Sequence, residues 1–286
     1  PELPVFVGEM PLEVHAPGCY TSQAEMKRYN RRNEQLADAA ERSAVIADWM
    51  GAVPYPKEAL NDAWKRFLWH QFHDDLTGTS IWEAYTYSWN DEFLAQGQFC
   101  DVILASAGAA ASVMDTRAKG SPVLVYNPAA YSRRSLVEAT VDLPAEAEGV
   151  AVYAPDGKTV PAQIVARDGA RATVLFAAAM EPVSYAVYDV RAGKAGKGKV
   201  LRASGNTLEN RVYKVTLDAN GDIASVIDKR NGRDLVEKGR AFRLAVLTPN
   251  VSNRYPAWEI HKATLDQTPE PVDTDVRISV AECGAA

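Results

Sequence analysis

The densest run of side chains able to do chemistry is Trp69-His70-Gln71-Phe72-His73-Asp74-Asp75-Leu76-Thr77-Gly78-Thr79-Ser80. Imidazole beside carboxylate suits a divalent cation such as zinc. The N-terminus of the next helix, at Thr79 and Ser80, adds backbone N–H groups that favour oxygen ligands or anions. His70 and His73 lie three apart, so both can face one side of a helix end with Asp74 adjacent. Two imidazoles do not close a metal site, however, and missing ligands would have to come from elsewhere. The spacing alone favours a plainer reading, in which both histidines are satisfied helix residues and Asp74-Asp75 caps a loop.

A second cluster is His15-Ala16-Pro17-Gly18-Cys19-Tyr20-Thr21-Ser22-Gln23, followed by the basic stretch Lys27-Arg28-Tyr29-Asn30-Arg31-Arg32. Strand, turn and helix cap, with a solvated charged face, account for most of these residue types. Cys19 would need a nearby base to act as a nucleophile, and none is evident in the sequence. Trp258-Glu259 and His261 read as the polar edge of a β-layer.

These clusters sit at the joints of regular elements. Pro1 to Cys19 is punctuated by proline and glycine and reads as strand and loop, too short to fold alone. From Ser22 to about Thr116 the period is helical. Ser22-Gln23-Ala24-Glu25 has the pattern of a capping box and opens a helix through Tyr29, Leu36, Ala40, Ile46 and Met50, stopped by Gly51. After Pro54 and Pro56, a second helix carries Leu60, Ala63, Trp64, Phe67, Leu68 and Phe72 on one stripe. Asp74 to Gly78 breaks it. Ser80-Ile81-Trp82-Glu83, a second capping box, opens a third helix through Tyr85, Trp89, Phe93, Val102 and Ile103. Three helices with short joints predict an antiparallel bundle.

Beyond Gly120 the pattern turns to β. Strands are expected at Pro122–Tyr126, Val137–Val141, Ala172–Phe176 and Tyr185–Tyr188, with hairpin turns at Asp156-Gly157 and Asp168-Gly169. Gly193 to Lys199 reads as a linker or exposed loop. A fresh series follows at Tyr213–Leu217, Ile223–Ile227 and Phe242–Leu247, with turns at Asn220-Gly221 and Asn231-Gly232. No helix and no repeat is expected in this half. The fold class is therefore α+β and multidomain, an antiparallel three-helix bundle followed by β-sandwich domains.

Composition bounds the function classes. Of 286 residues, 47% are hydrophobic and 24% charged, as in ordinary globular proteins. Lysine and arginine number 31 against 37 acidic residues, a net charge of −6, which disfavours nucleic-acid or anionic-membrane partners. No apolar run approaches the roughly 18 residues of a membrane span. Three cysteines far apart in sequence suggest neither a disulfide framework nor a cysteine zinc knuckle.

Taken in order, the motifs resemble one family. Gly18-Cys19-Tyr20-Thr21-Ser22-Gln23 with Lys27-Arg28-x-Asn30-Arg31 is similar to the Gly-x-Tyr-Thr-Ser segment of the α-mannosidases of glycoside hydrolase family 38. His73-Asp74-Asp75-Leu76-Thr77-Gly78-Thr79 resembles that family's His-Asp-x-(hydrophobic)-x-Gly-(Thr/Ser) motif. Leu208-Glu209-Asn210, Tyr213-Lys214-Val215, Asp218 to Gly221 and Ile227-Asp228-Lys229 resemble the opening of its large β-domain. Tyr255-Pro256-Ala257-Trp258-Glu259-Ile260 resembles the aromatic segment that follows.

The resemblance implies a retaining α-mannosidase that removes terminal α-linked mannose from glycans with a bound divalent metal, zinc or another such as cobalt. It implies His73 as one metal ligand and Asp74 as a contact to mannose hydroxyls. His15 stands near a substrate-facing position, and Gln71-Phe72 matches the form in which the residue at His70 does not bind metal. The nucleophile, the acid/base and the remaining ligands are expected in an α/β domain N-terminal to the bundle, so no catalytic residue is expected in this chain. The implied organisation is a remnant of that domain at 1–21, the bundle at 22–116, a small β-sandwich at 117–199 and the start of a large β-sandwich at 200–286. A retaining glycosidase sets two carboxyl groups about 5–5.5 Å apart, and neighbours such as Asp74 and Asp75 rarely face each other across a sugar. The expected partners are a mannose-containing glycan and the catalytic domain, without nucleic acid or membrane and with self-association left open. The compartment is also open, a cytoplasmic one being favoured.

Two other readings remain. The chain is a non-catalytic carbohydrate-binding or interaction module with Trp82, Trp89 or Trp258 as a stacking platform. Alternatively it is a complete metal-dependent hydrolase, which requires a further ligand near His73.

Overall fold

The structure, a computed structural model, describes residues 3, 5, 7, 16–194, 201–248 and 254–281. His15 and most of the Gly193 to Lys199 segment lie outside the described residues. Two compact units divide the chain. One gathers the residues up to Ser112 together with Ala245–Glu270, and the other gathers Val113–Leu244 with the residues from Pro271 onward.

The first unit is built on three helices, α1 (Ala24–Trp49), α2 (Lys57–Trp69) and α3 (Trp82–Val113). Consecutive helices run antiparallel, as cross-links along their lengths show. The Trp64 indole donates to Glu41 at 2.7 Å, Gln71 donates to Asn30 at 3.0 Å, and Arg66 reaches Asp91 at 2.7 Å. Ala37, Ala40 and Ala44 of α1, Leu60, Ala63 and Phe67 of α2, and Ala95, Phe99 and Val102 of α3 form one core. The alanines let the aromatic side chains of the other two helices come close to the α1 backbone. Among the described residues, no helix is long and apolar enough to cross a membrane.

Two sequence expectations fail here for identifiable reasons. The inner face of α3 runs through Tyr85, Ser88, Glu92, Gln96 and Phe99, while Trp89 and Phe93 are 39% and 65% exposed. The 3.6-residue period is obeyed by a partly polar stripe, so apolarity alone points to the wrong face. Neither capping box forms. Gln23 precedes α1 at φ +51° with no side-chain cap, because the Ser22 hydroxyl instead donates to the Ala257 carbonyl at 2.6 Å. Because α3 starts at Trp82, Ser80 stands outside the helix, and its N–H donates to the Tyr85 hydroxyl at 3.0 Å.

In the second unit, β1 (Ser121–Asn127), β2 (Arg133–Asp142), β3 (Val150–Tyr153), β4 (Thr159–Val160), β5 (Ala162–Asp168), β6 (Arg171–Met180) and β7 (Ser184–Ala192) form two antiparallel sheets. Their orders are β1-β7-β3-β4 and β2-β6-β5. Val125, Val152, Val174, Phe176, Tyr188 and Val190 from both sheets share one core, as in a sandwich. Gly157 and Gly169 turn the hairpins at φ +78° and +56°, conformations glycine adopts without a Cβ clash. A five-stranded antiparallel sheet follows from β8 (Arg202–Ser204) and β9 (Thr207–Glu209) through β10 (Tyr213–Leu217) and β11 (Ile223–Asp228) to β12 (Arg233–Asp234). Instead of a full strand at Phe242–Leu247, Phe242 makes a single bridge to Ile223 and only Ala245–Val246 is extended. A one-turn helix at Lys262–Leu265 departs from the all-β expectation for this half and falls in the helical unit.

Candidate functional site

The chain between α2 and α3 is a tight turn whose successive carboxylates point to opposite sides. His73 is exposed, with its Nε2 3.5 Å from an Asp74 carboxylate oxygen. The other Asp74 oxygen accepts from the Thr79 hydroxyl at 3.1 Å. The Asp74 backbone carbonyl accepts from the N–H groups of Thr79 and Ser80 at 3.2 and 2.9 Å and from the Tyr85 hydroxyl at 3.1 Å. The Thr77 hydroxyl donates to the His73 carbonyl and lies 2.8 Å from that of Thr79. Asp74 thus has a fixed backbone and a half-exposed carboxylate, suited to accepting hydrogen bonds from a polar ligand.

Asp75 turns inward. Its carboxylate lies 2.6 Å from Nδ1 of His70, which caps the end of α2, and accepts from the Ser88 hydroxyl at 2.8 and 3.0 Å. Asp74 and Asp75 therefore serve different surroundings, as their adjacency implied. His70 and His73 do not face one side: the side chain of His70 is 5% exposed and that of His73 is 75% exposed. Burial disfavours the His70 imidazolium, but the bond to Asp75, with the nearby Asp91 and Glu92 carboxylates, raises its pKa above the ordinary value. Behind it, Asn33 of α1 donates to the Glu92 carboxylate and to the Glu92 backbone carbonyl at 3.0 Å. Burial pushes the Glu92 carboxyl up to about 7 against the pull of Asn33 and His70.

The structure also joins the two sequence clusters and the aromatic segment. Gly78 stands at φ +81°, and a Cβ there would lie 2.5 Å from the Ser22 carbonyl oxygen. The Lys27 ammonium donates to the same carbonyl. On the other side of that segment, the Gly18 N–H donates to the Trp258 carbonyl at 3.0 Å, and a Cβ on Gly18 would approach the Ala257 oxygen to 2.8 Å. Gly18–Ser22 is consequently sandwiched between the His73–Ser80 turn and Ala257-Trp258. Both glycines are required by close backbone approach.

Among the described residues, no three His, Cys, Asp or Glu side chains gather as a metal-ligand set. His73 and Asp74 offer one imidazole and one carboxylate where zinc takes three or four protein ligands. The described residues thus fit part of a metal site and do not close one. The complete-hydrolase reading finds no third ligand beside His73 among them.

Residues 13–107 match the alpha mannosidase middle domain, a span that holds α1, α2, the His73–Ser80 turn and most of α3. Over that stretch the chain resembles an alpha mannosidase middle domain. Over 278 residues, 95% of this chain, it is 27% identical to alpha-mannosidase 2C1 of Mus musculus. That alignment covers 24% of the mouse protein, so the chain spans about a quarter of its relative's length. Two solved structures from Enterococcus faecalis, an alpha-mannosidase of strain V583 and a protein in glycosyl hydrolase family 38, share the fold with TM-scores of 0.62 at 21% identity. Each covers 80% of this chain, which spans 30% and 31% of theirs. The resemblance to family 38 α-mannosidases read from the motifs therefore stands, as does the α+β architecture of helices followed by antiparallel sheets.

The helical unit also holds polar residues that the motif reading passed over: Asn33, Ser88, Asp91 and Glu92, the polar backing of the turn. A signal for them existed. Tyr85, Ser88, Glu92, Ala95, Phe99 and Val102 recur at steps of three and four, placing polar residues on a core stripe.

Proposed function

We propose that this chain is the helical and β-sandwich portion of a retaining α-mannosidase, whose Asp74 binds the hydroxyls of terminal α-linked mannose. His73 supplies one ligand to a divalent metal, zinc or cobalt, with the remaining ligands outside this chain. The catalytic nucleophile and acid/base also lie outside it. The observation that carries this reading is the divergence of Asp74 and Asp75. One carboxylate is presented on a braced turn beside an exposed imidazole, and the other is consumed inside by His70 and Ser88. This pair cannot act as the two opposed carboxyl groups of a retaining glycosidase, so the turn binds while another part of the protein reacts. A metal bound there would orient sugar hydroxyls and stabilise charge. The turn is rimmed by exposed apolar side chains, with Phe72 at 56%, Ile81 at 72% and Trp82 at 73%, the kind of surface a partner domain covers.

In the complete gene product, H73N and D74N are each expected to lower kcat/KM for an aryl α-mannoside by about a hundredfold. Unchanged kinetics in both would overturn the proposal, as would fast turnover by these 286 residues alone with added zinc. The exposure of Trp82 favours one second reading, a non-catalytic carbohydrate-binding or interaction module. Calorimetry with mannose oligosaccharides separates the two, since metal-free binding by this chain would support the module.

A further inference from the structure

We propose that His70 is a positioning residue that holds the His73–Ser80 turn in place through Asp75, and with it the half-exposed carboxylate of Asp74. The inference rests on the reading of Asp74 as the mannose contact, and adds how that contact is kept in register.

The geometry makes the link direct. His70 ends α2, and its Nδ1 reaches across the turn to the Asp75 carboxylate at 2.6 Å. Ser88, nearly two helical turns into α3, donates to both oxygens of the same carboxylate. Asp75 therefore ties the turn to both flanking helices, one peptide away from Asp74. A further polar anchor of the turn is the Tyr85 hydroxyl on the Asp74 carbonyl, which fixes the same peptide from the α3 side.

The charged groups facing His70 come from every packed element. Asp75 lies on the turn and Asp91 on α3, with one carboxylate oxygen 3.4 Å from Nε2 and the other held by Arg66 of α2 at 2.7 Å. Glu92, also on α3, is bonded to Asn33 of α1. Both imidazole nitrogens face carboxylate oxygens, and that arrangement is satisfied only when both carry protons. A charged donor to a carboxylate is about twice as strong as a neutral one. Deprotonation of His70 leaves one imidazole nitrogen facing a carboxylate with no proton between them, so the turn loosens as pH rises through the raised His70 midpoint.

The test is backbone and imidazole NMR of this chain as a function of pH. The amides of Asp75, Thr79 and Ser80 should titrate together with the His70 ring, with a midpoint above 6.5. Their exchange protection factors should fall about three- to tenfold across that midpoint. H70Q should abolish the transition and leave protection at its high-pH level. D75N, which keeps the hydrogen-bonding shape but removes the charge, should move the ring midpoint down to 6.5 or below while Ser88 still contacts the turn. Helical ellipticity reports whether each variant folds, and D75N with the wild-type titration decides the matter if H70Q does not. Turn amides that ignore the His70 titration in wild type, or a transition that persists in H70Q, would overturn the proposal. Failure of the mannose reading looks different: the pH-linked turn would persist, but D74N would leave the kinetics of the complete gene product unchanged.

Discussion

Gly78 and Ser22 meet backbone to backbone: a Cβ on Gly78 would stand 2.5 Å from the Ser22 carbonyl oxygen and 2.6 Å from its carbon. Fifty-six residues apart in sequence, they press the motif-bearing turn against the loop that opens α1. The contact allows no side chain, and the φ of +81° would strain one in any case.

G78A is therefore expected to destabilise the helical unit by about 2–4 kcal/mol, since backbone strain and an unrelieved clash combine. Urea unfolding followed by helical ellipticity measures this. A loss below about 0.5 kcal/mol would mean that the two backbones separate freely.

S22A tests the opposite side of the same loop. Removing the hydroxyl deletes its bond to the Ala257 carbonyl at 2.6 Å, and the expected loss is about 1 kcal/mol. Amide exchange near Gly18 and Trp258 should quicken more than exchange in the core of α2.

Glu92 gives a pH dependence whose sign is fixed by its burial. Its folded-state pKa of about 7 lies above the ordinary 4.5, so the folded state holds a proton that the unfolded chain releases between those values. Stability attributable to this group falls as pH rises from 4.5 to about 7 and is level above that. E92Q should remove that slope, matching wild type near pH 4 and exceeding it near pH 8 by on the order of 1–3 kcal/mol. Denaturant titrations at both pH values check it, and an unchanged slope would assign the dependence to another group.

Asp189 in β7 behaves the other way. Burial pushes its carboxyl up, but Arg191 and the N–H groups of Lys119 and Gly120, at 3.0 and 2.9 Å, prevail and hold its pKa below the ordinary value. Its contribution is present above about pH 4 and lost as pH falls through the depressed folded-state value. D189N should cost about 1–3 kcal/mol at neutral pH, with the gap to wild type closing in acid. Unfolding of the second unit, followed by tyrosine fluorescence at pH 7 and pH 3, measures both limits.

The elements legible in the sequence are those whose cues are local. Alternation at Val137–Val141 and the Asp-Gly pairs at 156–157 and 168–169 became β2 and two hairpin turns, because strand period and turn chemistry act over a few residues. Of the α2 stripe, Leu60, Ala63, Trp64 and Phe67 pack inward for the same reason, whereas Leu68 is exposed and Phe72 lies past the end of the helix at Trp69. The inner face of α3 shows in the three-and-four spacing but not in apolarity, because Ser88 and Glu92 take core positions only where His70, Asp75 and Asn33 arrive to satisfy them. At the candidate site, the motif pointed to His73 and Asp74 as chemically distinctive residues. Nothing near Ser22 announces that its hydroxyl prefers a carbonyl 235 residues away to the end of its own helix. A local cap loses when a distant partner supplies a shorter and better-shielded acceptor.

That distant partner has a kinetic consequence. The bond from Ser22 to Ala257 closes a loop of 235 residues, so it carries a large closure entropy and high contact order. During synthesis, α1, α2 and the His73 turn can assemble long before residue 257 leaves the ribosome. The strip behind the turn waits for the second unit to be made, and the His73 end of the helical unit is the last part of it to set.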